Sequence, residues 1–409
     1  MRTRFFAAFI LSALGFASIA RAAPTITTLL DFGGAIGNHP NTGLVADAAG
    51  NLYGVTQDGG RYGRGVVFEL SPPAPGGTGW TSAVLYELSV AYEASGLTLD
   101  PSGALYVSTI WGGTHQNGAI LKLMPAAPGA AWVAKIVHEF RGGLDGGQPG
   151  PVTIGSDGTL YGAATAGGGS SCPARFQDFC GNVFALTPSG AGWNMRVLHH
   201  FQGSQGITPK GPLALGPGGE LYGTAVGDGR LVMSSVVKLV PPPAHQTHWA
   251  FSTIYTFSHL ADGTSPGAAG LRLGADGYLY GGTAYGGPRP SGHGAFHTGS
   301  IYRLLPPPAG QTHWRKENLY SAPSFNNGGL SYPVVFDASG RLYATAYNNG
   351  GDIIKLTPPA PGHTTWPVTT LETGDYPIGP VVVDASGTVY ALTYLGGLYQ
   401  AGAFISITP

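Results

Sequence analysis

The sequence NLYGVTQDGG at residues 51–60 contains a Leu-Tyr pair that recurs along the chain. Each later copy places its tyrosine 47 to 63 residues after the tyrosine of the preceding copy. An internal period of this length is typical of solenoids and propellers, in which each repeat is one supersecondary unit. The seven copies, the last with Val in place of Leu, carry Tyr53, Tyr106, Tyr161, Tyr222, Tyr280, Tyr343 and Tyr390.

One repeat contains four predicted β-strands and no helical periodicity. In the first unit, two apolar segments at residues 43–47 and 51–56 flank a tight turn. A third segment at residues 65–70 follows a Gly-Gly loop, and a Pro-rich turn then leads to a strand that opens at Trp80. Four short strands separated by Gly and Pro signals are typical of a propeller blade. We interpret as packing anchors the six tryptophans that open fourth strands, which are Trp80, Trp132, Trp193, Trp249, Trp314 and Trp366.

The two ends of the repeat array predict how the ring closes. The seventh unit stops after its third strand, at residues 402–407, and lacks a fourth. Residues 25–32 read TITTLLDF and match the ends of the other fourth strands. First strands such as residues 381–383 are apolar at consecutive positions, which indicates that both of their faces are covered. We therefore predict an all-β, seven-bladed β-propeller with four-stranded blades, closed by the N-terminal strand.

The first residues have the pattern of a secretory signal. Arg2 and Arg4 precede an apolar run at residues 5–19, and Ala20-Arg21-Ala22 forms a small-x-small cleavage site. We expect a signal peptide at residues 1–22 and a single propeller domain at residues 23–409. An uncleaved anchor is the alternative, but the run is shorter than the roughly 20 apolar residues of a membrane span. The protein is then exported, to the periplasm or outside, with no membrane span after cleavage.

The charge balance excludes one class of partner. Without Arg2, Arg4 and Arg21 the chain has 17 basic and 21 acidic side chains, a net charge of −4. A nucleic-acid-binding surface needs a clustered basic face, so we expect no nucleic-acid partner. We expect a monomer that binds a glycan, a small molecule or a protein.

The two cysteines, Cys172 and Cys180, lie in a Gly-rich stretch of the third unit. In an exported protein, a close pair of this kind predicts a local disulfide. A metal site would need more ligands than these two thiols.

The repeated pattern Gly-x-Leu-Tyr-Gly-x-Thr-x-x-Gly-Gly, at residues 51–60 and 278–287, resembles the GloVer repeat of exported bacterial propeller proteins. The resemblance extends over residues 25–409 and implies the propeller fold and an exported location, but no activity. In that family, such repeats often precede a C-terminal sorting anchor. The pattern is broken in the fourth unit around Asp228 and in the sixth around Tyr347. The chain is also loosely similar to NHL repeats and to propeller lactonases and lyases.

Two groups of polar side chains have the spacing of functional sites. Asp47, Asp100, Asp337 and Asp384 each precede a turn glycine by three residues, and we interpret them as turn-stabilising groups rather than calcium ligands. His293 and His297 are four residues apart, a spacing that can chelate a metal on a helix. Flanking glycines favour an exposed loop instead, so we assign no metal site and no cofactor.

The mouth of the central channel is where a propeller hydrolase or lyase would hold its reactive groups. One end of each first strand is expected to line this mouth. Among those residues only Lys210 is charged, with Glu93 just outside. A hard cation requires several carboxylate and carbonyl ligands, and the first-strand ends at the channel mouth offer too few carboxylates.

Binding residues are expected instead on the face formed by the second-to-third-strand loops and the blade crossovers. Loop lengths vary most there, and loops on a rigid scaffold commonly carry binding sites. Aromatic side chains also gather near the ends of second strands, where they would bind sugar rings or shield the blade tops. The candidate ligand-binding residues are Trp111, Tyr285, Tyr347, Tyr394, His293, His297 and Asp228.

We therefore predict an exported binding or scaffold propeller, with no catalytic residue assigned. A propeller hydrolase or lyase with a site at the channel mouth is one alternative. A purely structural envelope protein is another.

Overall fold

A computed structural model describes most of the chain after the N-terminal segment. The described residues are 24–74, 76–77, 79–125, 132–168, 172, 180–202, 207–227, 233–258, 262–266, 269–286, 299–322, 329–330, 332–346 and 351–408. They form thirty strands in seven antiparallel sheets, with one 3-10 helix at Gly34–Ile36 and no α-helix. No helix among these residues is long and apolar enough to span a membrane.

Each sheet is one blade, and the first three blades follow the chain in order. Blade one contains β2 (Asn38–Pro40), β3 (Val45–Ala46), β4 (Leu52–Asp58), β5 (Val66–Ser71) and β6 (Thr81–Glu87). Blade two contains β7 (Ala91–Leu99), β8 (Leu105–Gly112), β9 (Ala119–Met124) and β10 (Val133–Glu139). Blade three contains β11 (Gly147–Pro149), β12 (Thr153–Ile154), β13 (Leu160–Ala166), β14 (Asn182–Ser189) and β15 (Gly192–His200).

The remaining four blades complete the ring. Blade four contains β16 (Thr208–Leu215), β17 (Leu221–Val226), β18 (Ser235–Val240) and β19 (Ala250–Thr256). Blade five contains β20 (Leu271–Leu273), β21 (Leu279–Thr283), β22 (Ser300–Leu305) and β23 (Arg315–Ser321). Blade six contains β24 (Val335–Phe336), β25 (Leu342–Ala346), β26 (Asp352–Leu356) and β27 (Val368–Glu372). Blade seven contains β28 (Pro377–Val383), β29 (Val389–Thr393), β30 (Ala403–Thr408) and β1 (Thr25–Asp31).

The N-terminal strand closes the ring, as the sequence predicts. β1 pairs antiparallel with β30 from Thr25 opposite Thr408 to Asp31 opposite Ala403. Directly after β1, the buried ring of Phe32 lies 5.1 Å from that of Phe68 in blade one, centroid to centroid. This contact joins the last blade to the first, so the closing strand contributes both a sheet edge and core packing.

The innermost strands are shorter and more broken than the continuous apolar segments suggest. In blades one and three the first strand is split in two, and in blade seven the pairing register shifts between Ile378 and Val382. The interruptions coincide with places where neighbouring first strands touch. A Cβ atom on Gly43 would lie 2.1 Å from Pro380, and one on Gly96 would lie 2.5 Å from Pro151. Glycine is required at these contacts because no side chain fits between the two backbones.

The seams between blades are filled by the repeated aromatic residues. In six seams a Leu-Tyr tyrosine packs against the tryptophan that precedes or opens the fourth strand of the next blade, which confirms that these tryptophans are packing anchors. The ring centroids of these pairs are 5.3 to 6.5 Å apart, mostly in edge-to-face or tilted arrangements. The pairs are Tyr53–Trp132, Tyr106–Trp193, Tyr161–Trp249, Tyr222–Trp314, Tyr280–Trp366 and Tyr390–Trp80. The seam between blades six and seven has no such tryptophan, because the fourth strand of blade seven is β1.

The repeated aspartates stabilise the first-to-second-strand turns. The Asp47 Oδ1 atom accepts backbone N–H bonds from Ala49 and Asn51, both at 2.9 Å, and Oδ2 accepts the Tyr53 hydroxyl at 3.0 Å. Burial alone would raise the pKa of Asp47, but the hydrogen bonds donated by Asn51 and Tyr53 outweigh it and lower the pKa. The interpretation of this set as turn-stabilising groups is confirmed, since the same backbone bonds recur at Asp100, Asp337 and Asp384.

Candidate functional site

The ring has two faces of different construction. The first-to-second and third-to-fourth turns of every blade lie on one side, here called the turn face. The second-to-third loops and the crossovers between blades lie on the other side, here called the loop face. Antiparallel strand order within each blade imposes this division, because successive connections alternate between the two ends of the strands.

The exposed aromatic side chains of the described residues all lie on the loop face. Their exposed fractions are 54% for Tyr62, 39% for Trp111, 61% for Tyr285 and 71% for Tyr399. Each belongs to a second-to-third loop or to the end of the second strand. Exposed apolar side chains at Val90, Leu144 and Leu398 lie on the same face. Clustering of large apolar groups on one face is typical of an interaction surface.

Three of these aromatics come from consecutive blades, and we call them the aromatic arc: Tyr399 in blade seven, Tyr62 in blade one and Trp111 in blade two. The guanidinium group of Arg61 lies 6.0 Å from the centroid of the Tyr62 ring. Trp111 pairs across the sheet with Tyr92, whose ring lies 4.7 Å from the guanidinium group of Arg64. The arc therefore combines flat apolar rings with hydrogen-bond donors.

Tyr394, a predicted binding residue, is engaged in a blade contact. Its ring stacks on His39 with centroids 4.9 Å apart, and its hydroxyl donates to Gln57 Oε1 at 3.3 Å. The Nδ1 atom of His39 lies 3.1 Å from Asp58 Oδ2. His39 also has a positive φ of 51°, a conformation that surrounding contacts must hold. These contacts join blades seven and one, so Tyr394 braces the loop face beside the arc.

The other predicted binding residues divide into two groups. Trp111 and Tyr285 are exposed, and the backbone of Tyr285 is fixed by reciprocal hydrogen bonds with Thr264 at 2.7 and 3.3 Å. Tyr347, His293, His297 and Asp228 lie outside the described residues.

The predicted disulfide is confirmed. Cys172 and Cys180 are bonded, with their Cα atoms 5.5 Å apart. Cys180 is fully buried and packs with Ile207, which directly precedes β16 of blade four. The disulfide therefore cross-links the variable loop of blade three, and Cys180 packs this loop against the neighbouring crossover.

Tyr62 and Tyr399 were not among the residues that the sequence reasoning selected. That reasoning considered aromatics near the end of the second strand, whereas these two lie deeper in the second-to-third loops. Tyr62 and Tyr399 both lie between a Gly-Gly pair and the glycine before the third strand. A search for aromatic residues between the Gly-Gly pair and that glycine, rather than just before the Gly-Gly pair, would have found them in the sequence.

The central channel has a volume of about 1740 Å³ and is lined by the first strands of all seven blades. Lys210 is in the lining, as the sequence predicts, and Arg272 is there too. The carboxylate in the lining belongs to Asp100, which accepts the backbone N–H groups of its own turn and lies 3.5 Å from Lys122 Nζ. No cluster of three or more His, Cys, Asp or Glu side chains suited to a metal occurs among the described residues.

Besides His39 and Asp58, a second His–Asp pair on the loop face has the composition of an acid-base dyad. The His138 Nε2 atom lies 3.1 Å from both carboxylate oxygens of Asp145, which also accepts the backbone N–H of Arg141 at 2.8 Å. At the equivalent crossover of blade four, the Tyr255 hydroxyl donates to Asp262 at 2.8 Å. The aspartate recurs while its ring partner changes, so the pair braces the crossover.

Comparison with known proteins shows the family and the fold. The family model of the Gloeobacter/Verrucomicrobia repeat matches residues 16–176, 75–296 and 175–405. No curated protein matches the chain. A proposed 6-phosphogluconolactonase from Bacteroides uniformis is 13% identical with a TM-score of 0.55, over 86% of this chain and 93% of that one. A second one, from Bacteroides fragilis, is 12% identical with a TM-score of 0.55, over 91% and 98% of the two chains. At these identities the two structures share the fold alone with this protein. Because the matched segments together extend over nearly the whole chain, the protein belongs to the Gloeobacter/Verrucomicrobia repeat family.

Proposed function

We propose that this protein is an exported, non-catalytic binding propeller that holds a carbohydrate on its loop face. The observation that supports the proposal is the confinement of the exposed aromatic side chains to that face. Keeping four large rings in water forgoes the stabilisation that burial would give them, about 1.5–3 kcal/mol for a fully buried large apolar side chain. A ligand that covers these rings recovers part of that free energy.

The chemistry of the arc fits a sugar better than a purely apolar ligand. A pyranose ring offers C–H groups to an aromatic face and hydroxyl groups to polar neighbours. Around the arc, Arg61 lies beside Tyr62, and Gln116 accepts the hydroxyl of Tyr92 at 3.3 Å. Rings of this kind lose little side-chain entropy on binding, because they have only two rotatable side-chain bonds.

Export is part of the proposal. The apolar run and small-x-small site before Ala23 are typical of a secretory signal. A disulfide forms and persists in oxidising compartments, so the Cys172–Cys180 bond supports the same location.

A propeller hydrolase or lyase is the competing function. Its reaction at the channel mouth would need a carboxylate or histidine free to move a proton. In the described part of the channel lining, the carboxylate of Asp100 is occupied by Ser102, Ala104 and Lys122. This arrangement favours binding over catalysis.

Titration calorimetry with soluble oligosaccharides tests the proposal. The panel is cellohexaose, xylohexaose, chitohexaose and maltohexaose, measured against the wild type and the variants Tyr62→Ala and Trp111→Ala. We expect at least one sugar to bind and each variant to weaken it about tenfold, which corresponds to about 1.4 kcal/mol. Val368→Ala removes an exposed apolar side chain of an outer strand and serves as the control. Unchanged affinity in both aromatic variants, or no binding by any of the four sugars, would contradict the proposal.

A further inference from the structure

Two positively charged side chains of the central channel have no carboxylate partner among the described residues. Lys210 and Arg272 both line the channel and are exposed. Among the described residues, neither side chain lies within 4 Å of a carboxylate oxygen. The third cation of the lining, Lys122, is paired with Asp100. The described wall therefore carries two unpaired positive charges in a protein whose formal net charge is −1.

The two unpaired cations are neighbours. Lys210 lies in β16 and Arg272 in β20, the innermost strands of adjacent blades, which contact each other. Lys210 is opposite Thr224 in its sheet, and Arg272 is opposite Tyr280. In blade four the residue opposite the equivalent tyrosine, Tyr222, is Ala214. Counted along the second strands, Arg272 is thus two residue positions farther from the loop face than Lys210. This separation corresponds to roughly 7 Å along the channel.

We propose that the channel binds a small organic polyanion between Lys210 and Arg272. The two groups lie at different depths on one side of the channel, so they contact two anionic groups of one ligand, or two sides of a single larger group. The guanidinium group of Arg272 binds a carboxylate or phosphate through two parallel hydrogen bonds, and the ammonium group of Lys210 adds a flexible charge.

The shape of the channel strengthens this attraction. A cleft with charges of one sign and protein walls focuses the electric field and raises the local concentration of the opposite ion. The volume of about 1740 Å³ exceeds that of a typical small-molecule pocket, so a metabolite-sized anion enters with part of its hydration shell. The site is separate from the aromatic arc, which lies in the loops of blades seven, one and two.

Calorimetry with two probes tests the proposal and distinguishes its chemistry. Citrate represents polycarboxylates and pyrophosphate represents phosphates, each titrated into wild-type protein at pH 7.5 and low ionic strength. We expect one molecule of at least one probe to bind per chain, with an affinity that falls as sodium chloride is added. Binding of citrate alone indicates a carboxylate ligand, and binding of pyrophosphate alone indicates a phosphate ligand.

Variants locate the bound anion. Lys210→Gln and Arg272→Gln are each expected to weaken the bound probe at least tenfold, and Arg272→Lys to weaken it less than Arg272→Gln. Lys135→Gln, which removes an exposed cation on the outer strand of blade two, is expected to leave affinity unchanged. Melting temperatures of all variants identify any that misfold. If neither probe binds the wild type, or if folded Lys210→Gln and Arg272→Gln both bind like the wild type, the proposal is wrong.

Discussion

The turn face and the loop face are built by the same seven repeats, but the structure recurs from blade to blade more regularly on the turn face than on the loop face. On the turn face, the aspartate-bonded turn and the tyrosine–tryptophan pair recur from blade to blade. On the loop face, the second-to-third loops differ: blade one has a short loop with Tyr62, whereas blade three has a longer loop with a disulfide. Repetition therefore marks the groups that hold the blades together, and the proposed binding surface lies where the repetition breaks down.

The difference between the faces is also one of burial. The turn-face tryptophans are half-buried or buried and contact a neighbouring blade, while Trp111 is 39% exposed and pairs with Tyr92 of its own blade. Tryptophan thus has a packing role on the turn face and, in our proposal, a binding role on the loop face. Stability measurements can separate these roles because the loss of buried area is costly and the loss of exposed area is not.

The largest effect is expected from Trp80→Ala in the seam between blades seven and one. The Trp80 ring lies 5.3 Å from Tyr390 and 5.0 Å from Phe404, centroid to centroid. Its removal leaves a cavity where the ring of blades closes, and we expect a loss of about 3 kcal/mol in the free energy of unfolding. Urea denaturation of the purified variant measures the loss.

Trp111→Ala is the matched control for that measurement. The same substitution on the loop face is expected to cost less than about 1 kcal/mol, because the side chain is already 39% exposed. Equal losses in the two variants would mean that Trp111 is also a packing residue and that the two faces do not differ as argued.

The next largest effect is expected from removing the disulfide with the double substitution Cys172→Ala and Cys180→Ala. A cross-link with a sequence separation of 8 closes a short loop, and the chain-entropy treatment gives about 2.5 kcal/mol for it. Unfolding curves of the variant and the oxidised wild type give the difference. Thiol titration of native, unreduced protein is expected to find no free cysteine, and two reactive thiols would contradict the pairing.

Much of the fold could be predicted from the sequence because each sequence repeat corresponds to one blade of the structure. The spacing of Tyr53 and its equivalents predicts the blades, and the missing fourth strand of the last unit predicts the pairing of β1 with β30. The breaks in the innermost strands were not predicted. They depend on contacts such as Gly43 with Pro380, between residues that are distant in sequence.

The candidate site was less predictable for a related reason. Trp111 and Tyr285 could be selected because they are aromatic residues near the ends of second strands, but the exposure of their rings is set by what neighbouring blades cover. Tyr394 was selected on the same ground, but His39 of the adjacent blade stacks on it. Arg272 was missed because it lies beyond the strand ends that define the channel mouth in the sequence, one layer deeper in the wall.

A smaller and pH-dependent effect is expected from Asp47→Asn in the first turn. The carboxylate has a pKa below its ordinary value of 3.8, so it contributes stability above that pH and loses it as the pH falls through the lowered value. At pH 7 we expect a loss of about 1–2 kcal/mol, since hydrogen bonds to a charged group are removed. The difference from wild type should shrink in unfolding curves measured at pH 3.

Asp375→Asn is the control for this turn. Asp375 is exposed, and its side chain makes no hydrogen bond to the described residues. Its substitution should change stability little at either pH. A loss at Asp47 that is the same at pH 7 and pH 3 would show that the charge of the carboxylate does not contribute.

The smallest effect is expected from Tyr285→Ala on the loop face of blade five. The ring is 61% exposed, and the hydrogen bonds that fix the residue use only its backbone N–H and C=O groups. The free energy of unfolding should therefore change by less than about 0.5 kcal/mol. Tyr280→Ala in the same blade is the contrast, because that ring is 2% exposed, packs against Trp366 and donates its hydroxyl to Asp276 at 2.6 Å. A large loss of stability in both variants would make Tyr285 a packing residue and would remove blade five from the proposed binding surface. A small loss for Tyr285→Ala beside a large loss for Tyr280→Ala would leave the Tyr285 ring available to a ligand.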